Sequence, residues 1–149
     1  MNNYGSLVDL LIKDEMLGNP QHERVLHLGE TPEYLRKHAG FPELTLAIKG
    51  NVIGKAHFDH GVTTSMLKKL PRIICNPKSV FYPADPKHLG TVVVLTFEFK
   101  GHSPIIVPIR HNVQIGRNQR YNLVSSVYGK GGPDPERKWK ADNLLIWEP

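Results

Sequence analysis

Apolar residues recur at helical spacing in the first half of the chain and alternate with period two in much of the second. Leu7, Leu10 and Leu11, with Met16 and Leu17, predict an amphipathic helix over residues 5–17 that ends at Gly18-Asn19-Pro20. Val25-Leu26-His27-Leu28-Gly29 is a short apolar run, ambiguous between a strand and an extended linker. Thr31-Pro32-Glu33 predicts a helix start, with a threonine cap and proline at the first helical position, running to about His38 and stopping at Gly40. Leu44 to Ile48 has strand composition. Asn51 and Gly61 then bracket a helix whose Val52, Ala56 and His60 share one face. A further helix is capped by Thr63 or Thr64 and ended by Pro71. Its Met66, Leu67 and Leu70 point inward, and Lys68 and Lys69 outward.

Asn76 to Asp85 reads as irregular with a short extended piece at Ser79–Tyr82, followed by Pro83-Ala84-Asp85-Pro86 as loop. Thr91 to Phe99 is the strongest strand, rich in β-branched and aromatic residues. Lys100-Gly101-His102-Ser103 is turn-like, and Pro104 to Arg110 returns as the second arm of an antiparallel hairpin. Alternation places Val94, Thr96 and Glu98 on one face, and Ile106, Pro108 and Arg110 on one face of the partner strand. Leu123, Val124 and Val127 have helical spacing within Tyr121–Tyr128. A Gly/Pro-rich loop from Gly129, a short helix near Glu136–Ala141 and a closing strand at Leu144–Trp147 complete the chain. The pattern is that of an α+β domain, helices first and a mostly antiparallel meander after.

The 149 residues suffice for one domain with a real core, preceded by an acidic helical leader over residues 1–25 and occupying 26–149. The net charge of +5 is unevenly spread: residues 1–48 carry −3, 49–78 carry +5, 79–100 are neutral and 101–149 carry +3. A basic middle and end behind an acidic first third suit a polyanion-facing surface. Cys75, the single cysteine, excludes an intramolecular disulfide, and its helix-ending context suggests burial. The eight histidines are scattered and predict no metal site and no cofactor. There is no cleavable signal sequence and no apolar run of membrane length, so no membrane partner is expected.

Phosphate-binding loops, dinucleotide turns and nucleophile elbows are missing from the sequence. General acid–base and anion-binding types do collect around the predicted sheet: His60, Thr96, Arg110, His111, Ser126, Tyr128 and Lys130. RNA cleavage without a metal needs a base for the 2′-hydroxyl, an acid for the leaving 5′-oxygen and a cation for the charged phosphorane. Histidine suits the first two roles and arginine or lysine the third. Each residue also has a plain structural use: His60 as a helix-ending histidine, Thr96 as a strand residue, Tyr128 as a buried anchor, and Arg110 as a partner of Glu98.

Six segments in order carry a resemblance: Leu28-Gly29-Glu30-Thr31-Pro32-Glu33-Tyr34-Leu35, Asp59-His60-Gly61-Val62, Leu67-Lys68-Lys69-Leu70-Pro71, Val92-Val93-Val94-Leu95-Thr96, Ile105-Ile106-Val107-Pro108-Ile109 and Ser125-Ser126-Val127-Tyr128-Gly129-Lys130. Over about residues 26–147 the chain resembles the C-terminal toxin domain of phage MuF-type proteins, grouped with the barnase–EndoU–colicin–RelE-like nucleases. That resemblance implies helices on a mostly antiparallel four-stranded sheet and an RNA-cleaving toxin that works without a metal. It implies His60, Ser126 and Tyr128 as catalytic residues, Lys130 and Arg110 as phosphate ligands, and weaker roles for Thr96 and His111. RNA, tRNA included, is the expected substrate and an acidic cognate immunity or antitoxin protein the expected partner. The expected place of action is the bacterial cytoplasm, reached from a phage or a secretion system. The alternatives are an inactive RNA- or protein-binding module of the same fold and an ADP-ribosyltransferase-type toxin.

Overall fold

The computed structural model describes residues 3–149; residues 1 and 2 of the expected leader lie outside the described residues. The elements run α1 (Tyr4–Met16), β1 (Val25–Glu30), α2 (Glu33–Ala39), β2 (Thr45–Lys49), α3 (Gly50–Gly54), a π-helical turn (Lys55–Asp59), α4 (Thr64–Lys68) and α5 (Leu70–Cys75). Then follow β3 (Ser79–Phe81), a 3-10 turn (Pro86–His88), β4 (Thr91–Lys100), β5 (Ser103–Ile115), β6 (Gln119–Val124), β7 (Tyr128–Gly129), α6 (Pro135–Ala141) and β8 (Leu145–Trp147).

The architecture is α+β, and its open sheet has eight strands in place of the expected four. The order is β1-β2-β6-β5-β4-β3-β8, with β7 added beside β5. All pairs are antiparallel except β2–β6, which aligns Leu46 with Asn122 and Ile48 with Val124. The early strands β1 and β2 and the closing strand β8 extend the sheet at its two ends, so the four-stranded barnase-like description is too small.

The predicted β4–β5 hairpin forms in the register Thr91↔Arg110, Val93↔Pro108 and Leu95↔Ile106. Alternation then makes two cores from one hairpin. Val92, Val94, Ile105, Val107 and Ile109 point to one face, where α1, α3, α4 and α5 cover them in the main core. Val93, Leu95 and Ile106 point to the other, where Phe81 and Trp139 make a smaller cluster. The first helix, expected as a leader, contributes Tyr4, Val8, Leu11 and Ile12 to the main core. The loop after it passes close to α3: a Cβ on Gly50 would stand 1.9 Å from the Gln21 carbonyl oxygen, so only glycine fits there.

Other local expectations are corrected. Thr31 does not cap α2; its hydroxyl donates to the Leu44 carbonyl and accepts from the Asn122 amide. The helix expected from Asn51 begins at Gly50 and widens at Lys55 into the π turn, so the face through Val52, Ala56 and His60 is broken. Pro71 does not end a helix but opens α5, where its missing N–H is no loss. The segment with helical spacing at Tyr121–Tyr128 is instead β6 and β7, because pairing with β5 overrides the local pattern. Cys75 is exposed rather than buried.

Asn122 ties these pieces together. It is fully buried, accepts from the Asn112 backbone N–H and donates to Thr31 Oγ1 and the Pro42 carbonyl. Asn112 itself, at φ 53°, sits at the irregularity between Arg110 and Val113. The one amide therefore joins β6, the β5 irregularity and the loops around α2.

Replacing Asn122 by leucine strands the Asn112 N–H and leaves the Pro42 carbonyl with only the Leu44 N–H as donor; stability should fall by about 2 kcal/mol, read from the urea unfolding midpoint. A loss well under about 1 kcal/mol would mean that these groups find other partners. Burial also lifts the Tyr4 and Tyr34 phenols above their ordinary value near ~10. A raised folded-state value means that unfolding releases a proton at high pH, so stability is lost as pH climbs past ~10. Tyr34→Phe should show a smaller drop in unfolding midpoint between pH 9 and 11 than the parent.

Candidate functional site

The face of β4–β5 away from the helices is only partly covered. α6 and its flanking loops close over one part, with Trp139 packed edge-on against Phe81 at 5.2 Å between ring centroids. Beside them lies a cavity of about 730 Å³. Its floor is Val93, Ile106, Pro108 and Trp139; Arg110, Ser126, Tyr128 and Lys130 line one part of it, and Asp85, His88 and Lys138 another. The volume falls in the range of small-ligand sites, and the mix of an apolar floor with a few polar groups is typical of them.

The chain reaches these positions through simple geometry. Arg110 shares the face of Ile106 and Pro108 by alternation, opposite Thr91 and far from Glu98 in the register, so the Arg110–Glu98 pair does not form. After β6 leaves the sheet at Val124, Ser125 donates both its N–H and its hydroxyl to the Pro108 carbonyl. Val127 is buried in the main core, which turns its neighbours Ser126 and Tyr128 to the cavity side. Tyr128 pairs with Ile106, and the Lys130 N–H bonds to the Pro104 carbonyl at 2.8 Å, fixing the next two positions.

Among the described residues the Arg110 guanidinium, the Lys130 ammonium and the Ser126 hydroxyl have no hydrogen-bond or ion-pair partner. Lys138 is engaged with Asp142 at 3.0 Å, and Asp85 accepts from the Lys87 N–H. Many other basic residues are neutralised internally. Lys49 pairs with Glu23 and Lys68 with Asp9, so the acidic first third offsets part of the basic middle segment. The uncommitted cations at the cavity thus matter more than the regional count of charge. Burial raises the Tyr128 phenol above its ordinary value, which keeps it a neutral donor.

His60 does not line the cavity. Its ring lies against the Tyr128 ring, 5.6 Å between centroids and inclined by 44°, so it touches a cavity residue from outside. The π turn sets it there: the His60 N–H bonds to the Lys55 carbonyl five residues back, and its own carbonyl accepts from Lys100 Nζ at 2.8 Å. Gly61 follows at φ +65°, and a Cβ on it would meet Lys100 Nζ at 2.9 Å. Single π turns of this kind occur often at functional sites.

The remaining candidates lie elsewhere. Thr96 is 1% exposed; its hydroxyl donates to the Ile105 carbonyl and accepts from the Glu98 N–H, which holds the irregularity in β4. His111 points to the other face, tilted against Phe41 at 5.6 Å. Asp85, His88, Lys138 and Trp139 were not singled out from the sequence. Only Trp139, a lone large apolar residue in a cationic helix, carried any signal. Among the described residues no group of three or more His, Cys, Asp or Glu side chains is placed to hold a metal ion. Among the same residues no helix is long and apolar enough to cross a membrane.

No curated protein and no solved structure matches the chain. The family model for the phage MuF C-terminal domain matches residues 51–148, from the start of α3 to the end of β8. That span includes His60, the whole β4–β5 hairpin and every residue of the cavity, and it is about two-thirds of the chain. The chain belongs to the phage MuF C-terminal domain family.

Proposed function

We propose that this domain is an endoribonuclease toxin that cleaves RNA through attack of a 2′-hydroxyl on the adjacent phosphate, without a metal. The observation that carries this reading is the pair of uncommitted cations, Arg110 and Lys130, beside an apolar and aromatic floor. A phosphodiester needs cationic donors, and a base needs an apolar surface on which to lie. The cavity offers both within the volume of a nucleotide-sized ligand.

In this reading Arg110 and Lys130 hold the scissile phosphate and stabilise the charge that builds on its oxygens. Ser126 and the neutral Tyr128 phenol donate hydrogen bonds to the same group. The 2′-hydroxyl proton passes to a base as the new O–P bond forms, and an acid protonates the 5′-oxygen as the old bond breaks. The products are a 2′,3′-cyclic phosphate and a 5′-hydroxyl. His60, against Tyr128, and His88, on the cavity wall, are the imidazoles near enough to be assigned these two transfers. An acidic immunity or antitoxin protein covering the cationic rim would complete the system, and the bacterial cytoplasm is the proposed place of action.

The competing reading is a binding module that retains the fold without the chemistry. The specific observation in its favour is that His60 lies outside the cavity lining. Incubation with total bacterial RNA in EDTA, followed by mapping of the ends, separates the two. Cleavage predicts discrete fragments with cyclic phosphate ends; intact RNA bound by folded protein favours the module. Arg110→Ala should lower the cleavage rate by about 100-fold or more, and His60→Ala by a factor of about 10²–10⁴. Full activity in a folded His60→Ala protein would remove His60 from the mechanism. Because the Tyr128 phenol is shifted upward, the pH–rate profile should show no loss from tyrosine ionisation up to ~10. Tyr128→Phe should keep that profile and lower the rate.

A further inference from the structure

The loop from Lys130 to Pro135 stands between two cavities, not one. Lys130, Gly131, Pro133 and Pro135 line the large cavity; Gly132, Asp134 and Pro135 line a second of about 310 Å³. The other walls of this second cavity are Lys78, Leu95, Thr96, Phe99, His102 and Pro104. Phe99 pairs with Pro104 in the hairpin register, and Leu95 with Ile106, so both cavities open on the same face of β4–β5. They lie toward opposite ends of it, one at Arg110 and the other at Phe99 and His102. The six residue steps from Pro104 to Arg110 span roughly 20 Å of strand.

Phe99 is 54% exposed, although a large aromatic side chain at a strand end is normally covered. Cationic types accompany it. His102 is exposed and among the described residues has no partner, and Lys78 is bound to Glu136 at 3.2 Å. The carboxylates present are engaged: Asp134 caps the Glu136 N–H, and Glu136 also accepts from Ser79. An exposed ring beside an imidazole and a lysine, across one loop from the cavity that holds Arg110 and Lys130, matches the parts of a single-strand binding groove.

We propose that the second cavity is a further nucleotide subsite in which an unpaired base of the RNA stacks on Phe99, with His102 and Lys78 near its phosphate. The inference rests on the RNA-binding reading of the large cavity and adds the substrate class. The RNA is single-stranded over several nucleotides on either side of the Lys130–Pro135 loop, since a paired base has no free face to stack. Discrimination between paired and unpaired RNA then comes from a site distant from the reacting phosphate.

The test uses fluorescein-labelled 2′-O-methyl RNA, which cannot be cleaved, as a dinucleotide, a single-stranded hexamer and the same hexamer within a duplex. Anisotropy should show the single-stranded hexamer binding at least about 10-fold more tightly than the dinucleotide or the duplex. Phe99→Ala should remove most of that gain and leave dinucleotide binding unchanged. Phe97→Ala is the control, because Phe97 is equally exposed on β4 but lines neither cavity. Truncating exposed rings should leave the melting temperature unaltered, so folding does not confound the comparison. A hexamer that binds no better than the dinucleotide, or a Phe99→Ala protein that keeps the full gain, overturns the subsite while leaving the large cavity's reading intact. Failure of every oligonucleotide to bind, with Arg110→Ala no different from the parent, overturns both.

Discussion

The alternation of side chains along the β4–β5 hairpin is the constraint on which the rest depends. A strand residue points to one face or the other, and here both faces are used. Val92, Val94, Ile105, Val107 and Ile109 are spent on the helical side, where burying each contributes on the order of 1.5–3 kcal/mol. The complementary set is released to the opposite face, where Val93, Ile106, Pro108 and Arg110 form the floor and rim of the large cavity and Leu95 a wall of the smaller one. A one-residue slip in register would exchange the two sets, placing Arg110 against the helices and the valines in the cleft. The stability of the main core therefore also fixes the identity of the site. Asn122 reinforces that register from the side, by holding the irregularity next to Arg110 through Asn112.

The π turn acts on the same site from beyond β7. A regular α-helix through Asn51–Gly61 would carry Val52, Ala56 and His60 on one face. Widening at Lys55 rotates His60 away from that face and sets its ring on Tyr128. Lys100, at the far end of β4, holds the His60 carbonyl and lies against Gly61, whose φ of +65° favours glycine, so the turn is fastened to the hairpin by one side chain. His60 is thereby coupled to Tyr128 through packing.

Charge follows a similar division. Counted by region, the basic middle segment is the strongest signal in the chain, yet Lys49 and Lys68 are matched by Glu23 and Asp9 from the acidic beginning. Such surface pairs contribute little to stability, but they lower the net field over the helices. The cations left uncommitted at the cavity are Arg110 and Lys130, which come from a part of the chain with a smaller excess of charge.

The sequence by itself determined what depends on neighbours a few residues apart. The helix over 5–17, the stop at Gly40, the β4–β5 hairpin, the cap at Thr63 and the short helix before Leu144 were all legible, because periodicity and turn chemistry act locally. The strands at Leu44–Ile48 and Leu144–Trp147 were legible too, but the eight-stranded order was not, since β1, β2 and β8 take partners far along the chain or across the sheet. Nor was the strand character of Tyr121–Tyr128, where pairing with β5 outweighs a helical spacing. Tertiary structure alone decided the site: Asp85 and His88 before β4, Arg110 on β5, Tyr128 on β7 and Trp139 on α6 meet through pairings that no local pattern encodes. It also set Thr96, its hydroxyl bound, on the wall of the smaller cavity, and turned His111 to the other face by the same alternation that selects Arg110.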